Sequence, residues 1–417
     1  MALLRPFRGL RYTPVAGPVE GLIAPPYDVV GPAERAHLAA RNAHNAVHLE
    51  LPEPDPAAGL DRYEAAAALL AAWRSQEVLR QDPVPALYPY RTTTPAGRRS
   101  TGVIGALTIG DDVLPHEQTL PKARSDRLDL LRATDANLSP IWALSLEPGL
   151  TAAFEPQGPP TTDAVDDDGV RHQLWVLDDP TAAEAVTRAV GGSPLVIADG
   201  HHRYETARAF RDERHDAGQG RPGDGAVMAL VVELAPEQLH VGAIYRLVGG
   251  VAPGTDVPAA LSRWLAVEPA GPVTEELVGR LSASGALAAV TAEGVWELGR
   301  EPAVAGVTVG DGATGDPDLD VELLDRAIKD LPGAHVSYCA RWEELLATVR
   351  SGEAQVGLLV PPVTVAQIAE WASAGRRMPP KTTYFVPKPR TGMVIRSLGT
   401  DLGPDPGPGT QAGATPG

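Results

Sequence analysis

Short apolar runs alternate along the chain with longer stretches in which apolar and polar residues share a helical period. The runs at 100–109, 141–146, 195–198 and 226–234 are bounded by turn-forming residues, which predicts buried β-strands. The stretch 61–76 carries apolar side chains at helical spacing and predicts an amphipathic helix. Strands and helices mixed in this way along one chain predict a mixed α/β (α+β) fold.

The same pattern predicts elements on either side of these. A helix at 32–41 follows a proline-rich loop, whereas 47–51 is strand-like. The remaining predicted strands are 86–90, 172–177, 336–340 and 356–360, and the remaining predicted helices are 181–190, 342–350, 363–374 and the segment from Gly200 to about His215. From residue 336 onward strand and helix alternate, which is typical of a β-α repeat.

Changes in this pattern divide the chain into segments. We predict an N-terminal α/β segment at 1–95, a core at 96–247 that holds the candidate chemistry, and a C-terminal α/β domain at 248–400. The last residues are Pro, Gly, Thr and Ala with almost nothing to bury, so we predict that 401–417 is disordered.

The composition is that of a globular protein of two or three domains. The chain has 417 residues, of which 43% are apolar. Its single cysteine, Cys339, lies in an apolar run, so no disulfide forms within the chain and a buried, inert thiol is expected. No stretch approaches the ~20 apolar residues that cross a membrane, and the N-terminus has no export-type apolar core. We therefore expect a cytoplasmic protein that has no membrane partner.

The charge balance excludes one class of partner. Lys and Arg total 36 against 53 Asp and Glu, which gives a net charge of −17. Nucleic-acid-binding proteins neutralise phosphates with a basic surface, and this chain has only short basic clusters. The sequence therefore predicts no nucleic-acid partner, whereas the short clusters suit one small anionic ligand.

The most informative stretch is LVIADGHHRYETARAF at 195–210. A predicted strand ends at Asp199 and Gly200, and a helix begins with His201, His202 and Arg203. Gly permits a sharp turn, and the backbone N–H groups at a helix start favour anions, phosphates above all. A strand–Gly–helix junction occurs in most α/β proteins, so adjacent histidines and an arginine there are also compatible with a purely structural turn.

Other charged residues complete a candidate site for phosphoryl transfer, which needs a phosphate cradle, cations and a carboxylate. Glu117, which follows His116 after a predicted strand, is the candidate carboxylate, either as a Mg²⁺ ligand or as a base. The candidate cations beside Arg203 are Lys122, Arg127, Lys381 and Lys388. Lys381 and Lys388 flank a proline-bounded segment, which is either a rigid piece returning to the site or an edge strand.

Motifs along nearly the whole chain, from about residue 5 to 400, resemble those of a widespread family of conserved prokaryotic proteins whose function is unassigned. The motifs stand here as Pro25-Pro26-Tyr27-Asp28-Val29, His116-Glu117, Lys122 with Asp126-Arg127, Asn137 with Ser139-Pro140, ADGHHRYETA at 198–207, and Pro379-Pro380-Lys381-Thr382-Thr383-Tyr384-Phe385 with Pro387-Lys388. For Asp28 a structural Asx turn is the simpler interpretation, with a place at the site as the alternative.

Pro115-His116-Glu117 followed by the DGHHR turn also resembles the paired motifs of the ParB/sulfiredoxin-like superfamily, and especially its free L-serine kinases. That resemblance implies a ParB/sulfiredoxin-like core with N-terminal and C-terminal α/β additions. It also implies a kinase that uses ATP or ADP with Mg²⁺ on a small hydroxyl substrate. In it, Glu117 is the base, with His116 beside it, and Asp199 and Glu117 are the metal ligands. The list of residues implied to hold the phosphates is Asp199, Gly200, His201, His202 and Arg203.

Two features depart from those patterns. The two motifs lie about 80 residues apart, which implies an insertion between roughly 145 and 190. Where many family members carry Pro-Thr-His-Arg, this chain has Ala243-Ile244-Tyr245-Arg246, so Tyr245 stands in place of the histidine.

Two alternative functions remain open at this point. In a metal-dependent hydrolase, imidazoles and carboxylates would bind Zn²⁺ or Mn²⁺, the candidate ligands being His116, Glu117, Asp199, His201 and His202. Adjacent histidines point in different directions, which disfavours a shared ion. In the other alternative, the protein binds a nucleotide without turnover.

Overall fold

The computed structural model describes residues 2–114, 121–299, 317–373 and 381–399. The chain divides into two compact units. The first unit comprises Met1–Leu239 together with Pro387–Gly417, and the second comprises His240–Val386. The predicted segments 1–95, 96–247 and 248–400 stay a prediction, and the tail at 401–417 lies outside the described residues.

The strands are short and spread along the whole described chain. In order they are β1 Leu4–Arg5, β2 Leu10–Tyr12, β3 Leu79–Gln81, β4 Tyr88–Thr93, β5 Arg99–Thr108, β6 Val113–Leu114, β7 Ala136–Asn137, β8 Ile141–Ser145, β9 Thr162–Val165, β10 Arg171–Leu174, β11 Leu195–Asp199, β12 Ala226–Glu233, β13 Val241–Gly242, β14 Tyr245–Gly249, β15 Ala266–Ala270, β16 Leu287–Val290, β17 Val295–Gly299, β18 His335–Cys339, β19 Val356–Leu359, β20 Tyr384–Phe385 and β21 Arg396–Ser397.

The helices separate these strands. In order they are α1 Pro32–Arg41, α2 Val47–Glu50, α3 Arg62–Ser75, α4 Pro121–Thr134, α5 Pro180–Val190, α6 His201–Asp216, α7 Val257–Leu261, α8 Glu275–Ser284, α9 Pro317–Lys329, α10 Trp342–Ser351 and α11 Val365–Ser373. The predicted mixed α/β fold is confirmed.

A nine-stranded mixed sheet, counted over the described residues, forms the centre of the first unit. Its order is β6-β11-β8-β12-β5-β4-β10-β9, with β1 paired to β5. β12 runs parallel to β8, and β11 runs parallel to β6, whereas the other neighbours are antiparallel. β12 is buried at every position but its last, because it lies inside the sheet and packs on both faces. This arrangement fixes β11, which ends at the candidate site.

The predicted insertion at roughly 145–190 forms regular structure. It contains β9 and β10, which extend the far edge of the sheet beyond β4, and helix α5. His172 on β10 is fully buried, and its ring lies 2.6 Å from the Tyr90 hydroxyl and 2.8 Å from Asp166 Oδ2. It is therefore a core histidine whose ring nitrogens both have hydrogen-bond partners.

One local prediction is wrong. The strand-like run 47–51 forms helix α2 instead. The Asn45 side chain accepts a hydrogen bond from Val47 N at 2.9 Å and so favours a helical turn, while Val47 and Leu49 are buried. The turn leaves Glu50, at the end of α2, almost completely buried.

The second unit contains a six-stranded sheet of order β15-β17-β16-β19-β14-β18 among its described residues. All its neighbouring strands are antiparallel, so the β18-α10-β19 repeat crosses over β14. Tyr245 on β14 is buried and lies opposite Cys339 in the register. Cys339 is buried too, and burial raises the pKa of its thiol to about 11, as expected for an inert cysteine.

No helix in the described part of the chain combines the length and apolar character that a bilayer crossing requires.

Candidate functional site

The candidate site lies at the end of strand β11 in the central sheet. It ends at Asp199, and Gly200 adopts φ +92° directly before helix α6 begins at His201. That backbone conformation favours glycine because a Cβ would meet the neighbouring backbone. No side chain among the described residues caps the start of α6. The strand, glycine turn and helix predicted from residues 195–215 are present.

Arg203, in the first turn of α6, is held on three sides. Its Nη2 donates to Asp199 Oδ2 at 2.7 Å, and its Nη1 donates to Ser139 Oγ at 3.0 Å and to the Pro140 carbonyl oxygen at 2.6 Å. These contacts fix the plane of the guanidinium between β11 and the segment that leads into β8. A lysine has no planar fork and cannot make this set of bonds.

Lys388 brings a second cation to the same carboxylate. Its Nζ lies 2.7 Å from Asp199 Oδ1 and 2.6 Å from Asp28 Oδ2. Asp28, Asp199, Arg203 and Lys388 therefore form one connected group, which we call the ion cluster. The Lys388 side chain is only 9% exposed, so these charges interact in a partly desolvated place where their attraction is strong.

The ion cluster shifts the acidities of its members. Burial alone would raise the pKa of Asp199, but the positive charges of Lys388 and Arg203 outweigh it and hold that pKa below the ordinary value. Burial would lower the pKa of Lys388, and the carboxylates of Asp199 and Asp28 outweigh that effect and raise it. Both groups thus stay charged at neutral pH.

Arg127 joins the ion cluster to the N-terminal segment. Its Cζ lies 4.3 Å from the centre of the Tyr27 ring, a cation–π contact. Its Nη1 donates to the Glu50 carbonyl oxygen at 2.8 Å, and its other nitrogens donate to Asp126 Oδ2 at 2.9 and 2.6 Å. Burial raises the pKa of Tyr27, so its hydroxyl stays protonated. Motif residues from distant parts of the chain thus lie in one region.

Two cavities lie against Arg127. The smaller has a volume of about 50 Å³, and the residues that bear its polar side chains are Glu50, Arg127, Asn137, Ser139, Arg203 and Thr206. The larger has a volume of about 300 Å³ and lies among α1, α3, α4 and the loop after α2. Its charged lining residues are Arg35, Glu53, Arg62, Asp126 and Arg127.

The structure brings several of the predicted site residues together. Those that meet in the ion cluster or contact its members are Asp199, Gly200, Arg203 and Lys388. Arg127 is linked to Arg203 through two hydrogen-bonded residues, Glu50 and Ser139. His201 is buried, whereas His202 is half-buried. Lys381 belongs to the second unit. His116, Glu117 and the Lys122 side chain lie outside the described residues.

The sequence interpretation missed Glu50 and gave a place at the site only as the alternative for Asp28. Asp28, for which an Asx turn is the simpler expectation, pairs with Lys388. Glu50 gave no signal, because it belongs to no predicted motif and lies in the run interpreted as a strand. The PPYD motif was the available signal for Asp28, since proline-fixed loops often present a side chain at a defined place.

Within the described ranges, no group of three or more His, Cys, Asp or Glu side chains is placed to hold a metal ion.

Substituting Gly200 with Ala tests how closely the turn is fitted to Arg203. A Cβ there would lie 3.0 Å from Arg203 Nε and Nη2 in addition to straining the backbone. Gly218, just past the other end of α6, also has positive φ (+67°), but a Cβ there would meet nothing within 4 Å. We expect Gly218→Ala to cost about 1–2 kcal/mol of unfolding free energy and Gly200→Ala distinctly more. Equal losses of unfolding free energy for the two variants, measured in urea, would show that the Arg203 side chain moves away from the new Cβ without cost.

Comparison with protein families decides what the chain is related to. A family model described as "Protein of unknown function (DUF1015)" matches residues 4–309. The chain belongs to this family. The predicted membership of a family without an assigned function is thereby confirmed. Of the residues in the ion cluster, Asp28, Asp199 and Arg203 lie within the DUF1015 match, whereas Lys388 lies beyond it. No curated protein is detectably similar in sequence.

Solved structures resemble the chain weakly. A conserved hypothetical protein from Pyrococcus furiosus is 16% identical, with a TM-score of 0.36, and the match covers 68% of this chain and 90% of that one. A free serine kinase in complex with AMP is 16% identical, with a TM-score of 0.35 over 68% and 87%. SbnI from Staphylococcus aureus, truncated at its C-terminus, is 12% identical, with a TM-score of 0.39 over 70% and 87%. No functional conclusion follows from likenesses this weak, and the relation to the ParB/sulfiredoxin-like proteins stays a prediction.

Proposed function

We propose that the protein is a nucleotide-dependent phosphotransferase that acts on a small hydroxyl substrate, with free L-serine as the first candidate. The observation that carries the proposal is the ion cluster at the start of α6, where Arg203 and Lys388 flank a glycine turn. Motif residues far apart in the sequence converge there, although buried charges are costly for the fold unless they are used or well paired.

The start of α6 is the proposed phosphate-binding element. The positive end of the helix dipole lies at Gly200 and His201, and it favours anionic oxygens there. Arg203 lies in the first turn of α6, and Lys388 contacts Asp199 just before it. Two positive charges therefore lie close to the start of the helix. In a chain of net charge −17, these two cations, which Asp28 and Asp199 balance in this structure, support binding of a nucleotide polyphosphate.

Mg²⁺ is the proposed companion of the nucleotide at this site. It binds through one or two carboxylates together with substrate phosphates and water, so a single carboxylate suffices. Asp199 is the proposed protein ligand, although its two oxygens contact Lys388 and Arg203 in this structure. When bound, Mg²⁺ would offset negative charge on the phosphates.

Glu117 is the proposed general base. β6 ends at Leu114 and pairs in parallel with β11, Leu114 lying opposite Val196. Parallel strands end at the same edge of a sheet, so the chain leaves β6 on the side where β11 ends at Asp199. Helix α4, which follows Glu117 in the sequence, carries Arg127 beside the site. These positions support, for Glu117, the role that its motif implies.

The proposed acceptor site is the cavity of about 300 Å³. This volume lies at the lower end of the range for small-molecule sites. Arg127 lines both this cavity and the smaller one that Arg203 lines, so the acceptor would lie one side chain away from the phosphate turn. The cavity contains both guanidinium and carboxylate groups, which suits a substrate that carries charges of both signs.

In the proposed step the acceptor hydroxyl oxygen forms a bond to the terminal phosphorus of the nucleotide. The bond from that phosphorus to its bridging oxygen breaks, and ATP leaves as ADP, or ADP as AMP. The hydroxyl proton passes to Glu117. Arg203 and Lys388 hold the transferring phosphate and balance its charge.

The test is direct. The purified protein is incubated with Mg²⁺, L-serine and either ATP or ADP, and the products are separated by mass spectrometry. Phosphoserine formed together with an equal amount of the shortened nucleotide supports the proposal. Nucleotide binding without consumption would overturn it in favour of a nucleotide-binding protein without turnover. Stoichiometric, tightly bound zinc in the purified protein would favour a hydrolase instead.

A further inference from the structure

The smaller cavity, of about 50 Å³, borders Arg203 of the ion cluster and has a polar wall. Glu50, Ser139, Arg203 and Thr206 contribute to that wall. Glu50 and Thr206 are only 2% and 3% exposed, so their polar atoms are withdrawn from bulk water. Arg127 and Asn137 complete the polar part of the lining, and leucine, valine and alanine side chains form its apolar part.

Three buried polar atoms of residues that line this cavity have no hydrogen-bond partner among the described residues: Glu50 Oε2, Arg203 Nε and Thr206 Oγ1. A buried polar atom without a partner is costly, and a carboxylate oxygen or a guanidinium nitrogen is more costly than a neutral group. Because the residues that carry these three atoms all line one small cavity, the atoms point to an occupant of that cavity that bonds to them.

The chemistry of the three atoms selects the occupant. Arg203 Nε can only donate, so the occupant must accept a hydrogen bond, which excludes a metal ion or an ammonium ion. Glu50 Oε2 as a carboxylate can only accept, so the occupant must also donate, which excludes a simple anion. Water does both, and a cavity of about 50 Å³ has room for one or two water molecules.

Glu50 is also tied to Arg203 through protein atoms. Ser139 Oγ donates to Glu50 Oε1 at 3.0 Å, and Arg203 Nη1 donates to the same Ser139 Oγ at 3.0 Å. The backbone carbonyl of Glu50 holds Arg127. One buried residue thus links both arginines that border the proposed substrate and phosphate sites.

We propose that Glu50 is a positioning residue for Arg203, acting through Ser139 with one carboxylate oxygen and through an ordered water in the cavity with the other. Thr206 completes the contacts of that water. The effect on nucleotide binding rests on the proposed function, whereas the water and its contacts do not.

A crystal structure of the wild-type protein, at a resolution that shows ordered solvent, tests the water directly. We expect a density peak in the cavity within about 3.2 Å of Glu50 Oε2, Arg203 Nε and Thr206 Oγ1. A cavity without density, or the same atoms bonded to other protein groups, would overturn the proposal. This result does not depend on whether the protein binds a nucleotide.

Removal of the Thr206 hydroxyl gives an independent test in solution. Thr206→Val keeps the shape of the side chain and removes the bond to the water, so its unfolding midpoint should fall by about 2 °C or more. Thr206→Ser should recover most of the loss. Thr391 is the matched control, because its hydroxyl is also buried and has no partner among the described residues, but it lines neither cavity. A fall for Thr391→Val equal to that for Thr206→Val would contradict the role of the cavity.

Glu50→Gln tests the positioning role. The amide keeps the size of the side chain but loses the charge and replaces one acceptor with a donor, so ADP binding should weaken about tenfold in calorimetric titration. In the Arg203→Lys background the same substitution should change ADP affinity less than twofold, because the group that Glu50 positions is gone. Full additivity of the two substitutions would remove the positioning role. If wild-type protein binds no nucleotide, the proposed function fails, and the density and the Thr206 variants still decide the water site.

Discussion

Replacement of Glu117 by Gln is expected to lower the rate of phosphoryl transfer by about 10²–10⁴-fold, because the amide cannot take the proton of the acceptor hydroxyl. Nucleotide affinity should change little, since the phosphate contacts are assigned to the start of α6 and to Lys388. The measurement is phosphoserine production under saturating nucleotide, with ADP or ATP affinity determined by calorimetry on the same samples.

The control for this variant is Glu184→Gln on helix α5. Glu184 makes an exposed ion pair with Arg188, a type of contact that contributes little to stability. That variant should keep full activity. A Glu117→Gln protein that retains wild-type turnover would exclude Glu117 as the base, whereas a joint loss of turnover and nucleotide binding would indicate a role in binding instead.

Replacement of Lys388 by Met is expected to lower the unfolding free energy of the first unit by about 3 kcal/mol at neutral pH. The methionine fills similar space but leaves the carboxylates of Asp28 and Asp199 without the cation between them. The loss can be followed by hydrogen exchange at the amides of β11 in increasing urea, which reports on the first unit alone.

The pH dependence identifies the cause of that loss. The pKa of Asp199 is depressed in the folded protein, so its stabilising contribution is present above its unfolded pKa and is lost as the pH falls through the folded value. The pKa of Lys388 is raised, so its contribution is present below its unfolded pKa and is lost as the pH rises through the folded value. The difference between wild type and Lys388→Met should therefore be largest between about pH 4 and 10 and shrink outside that window.

Arg188→Met is the comparison for this experiment, because its side chain is 72% exposed and its ion pair is on the surface of the same unit. We expect a change of less than about 0.5 kcal/mol at any pH. A Lys388→Met protein whose loss is independent of pH would show that packing of the lysine stem, rather than its charge, stabilises the site.

The local pattern of apolar and polar residues was sufficient to predict the elements that have a strong local signal. The predicted helix at 32–41 coincides with α1, and the predicted strand at 226–234 differs from β12 by one residue. Both have strong signals, a proline at the first helical position and an unbroken apolar run. The run 47–51 failed because its alternation is typical of a strand, while the hydrogen bond from Val47 N to the Asn45 side chain favours one helical turn.

The site was predictable only in part. The glycine turn and Arg203 were visible, because strand, turn and helix follow one another within a few residues. The contact between Lys388 and Asp28 was not predictable, because the two residues lie 360 positions apart and nothing in the local sequence of either one indicates the other. Glu50 was invisible for a different reason, because its importance comes from burial beside Ser139 and Arg203, which no periodicity reports.

The division of the chain has a consequence for how the protein is made. In the sequence, the first unit includes residues before and after the second. Lys388, which contacts both Asp28 and Asp199, comes after the second unit in the sequence. During synthesis the central sheet can therefore assemble before the cation that lies between Asp28 and Asp199 is available. The contacts of Lys388 with Asp28 and Asp199 can form only after residue 388 has left the ribosome. Contacts between residues so far apart in the sequence slow folding.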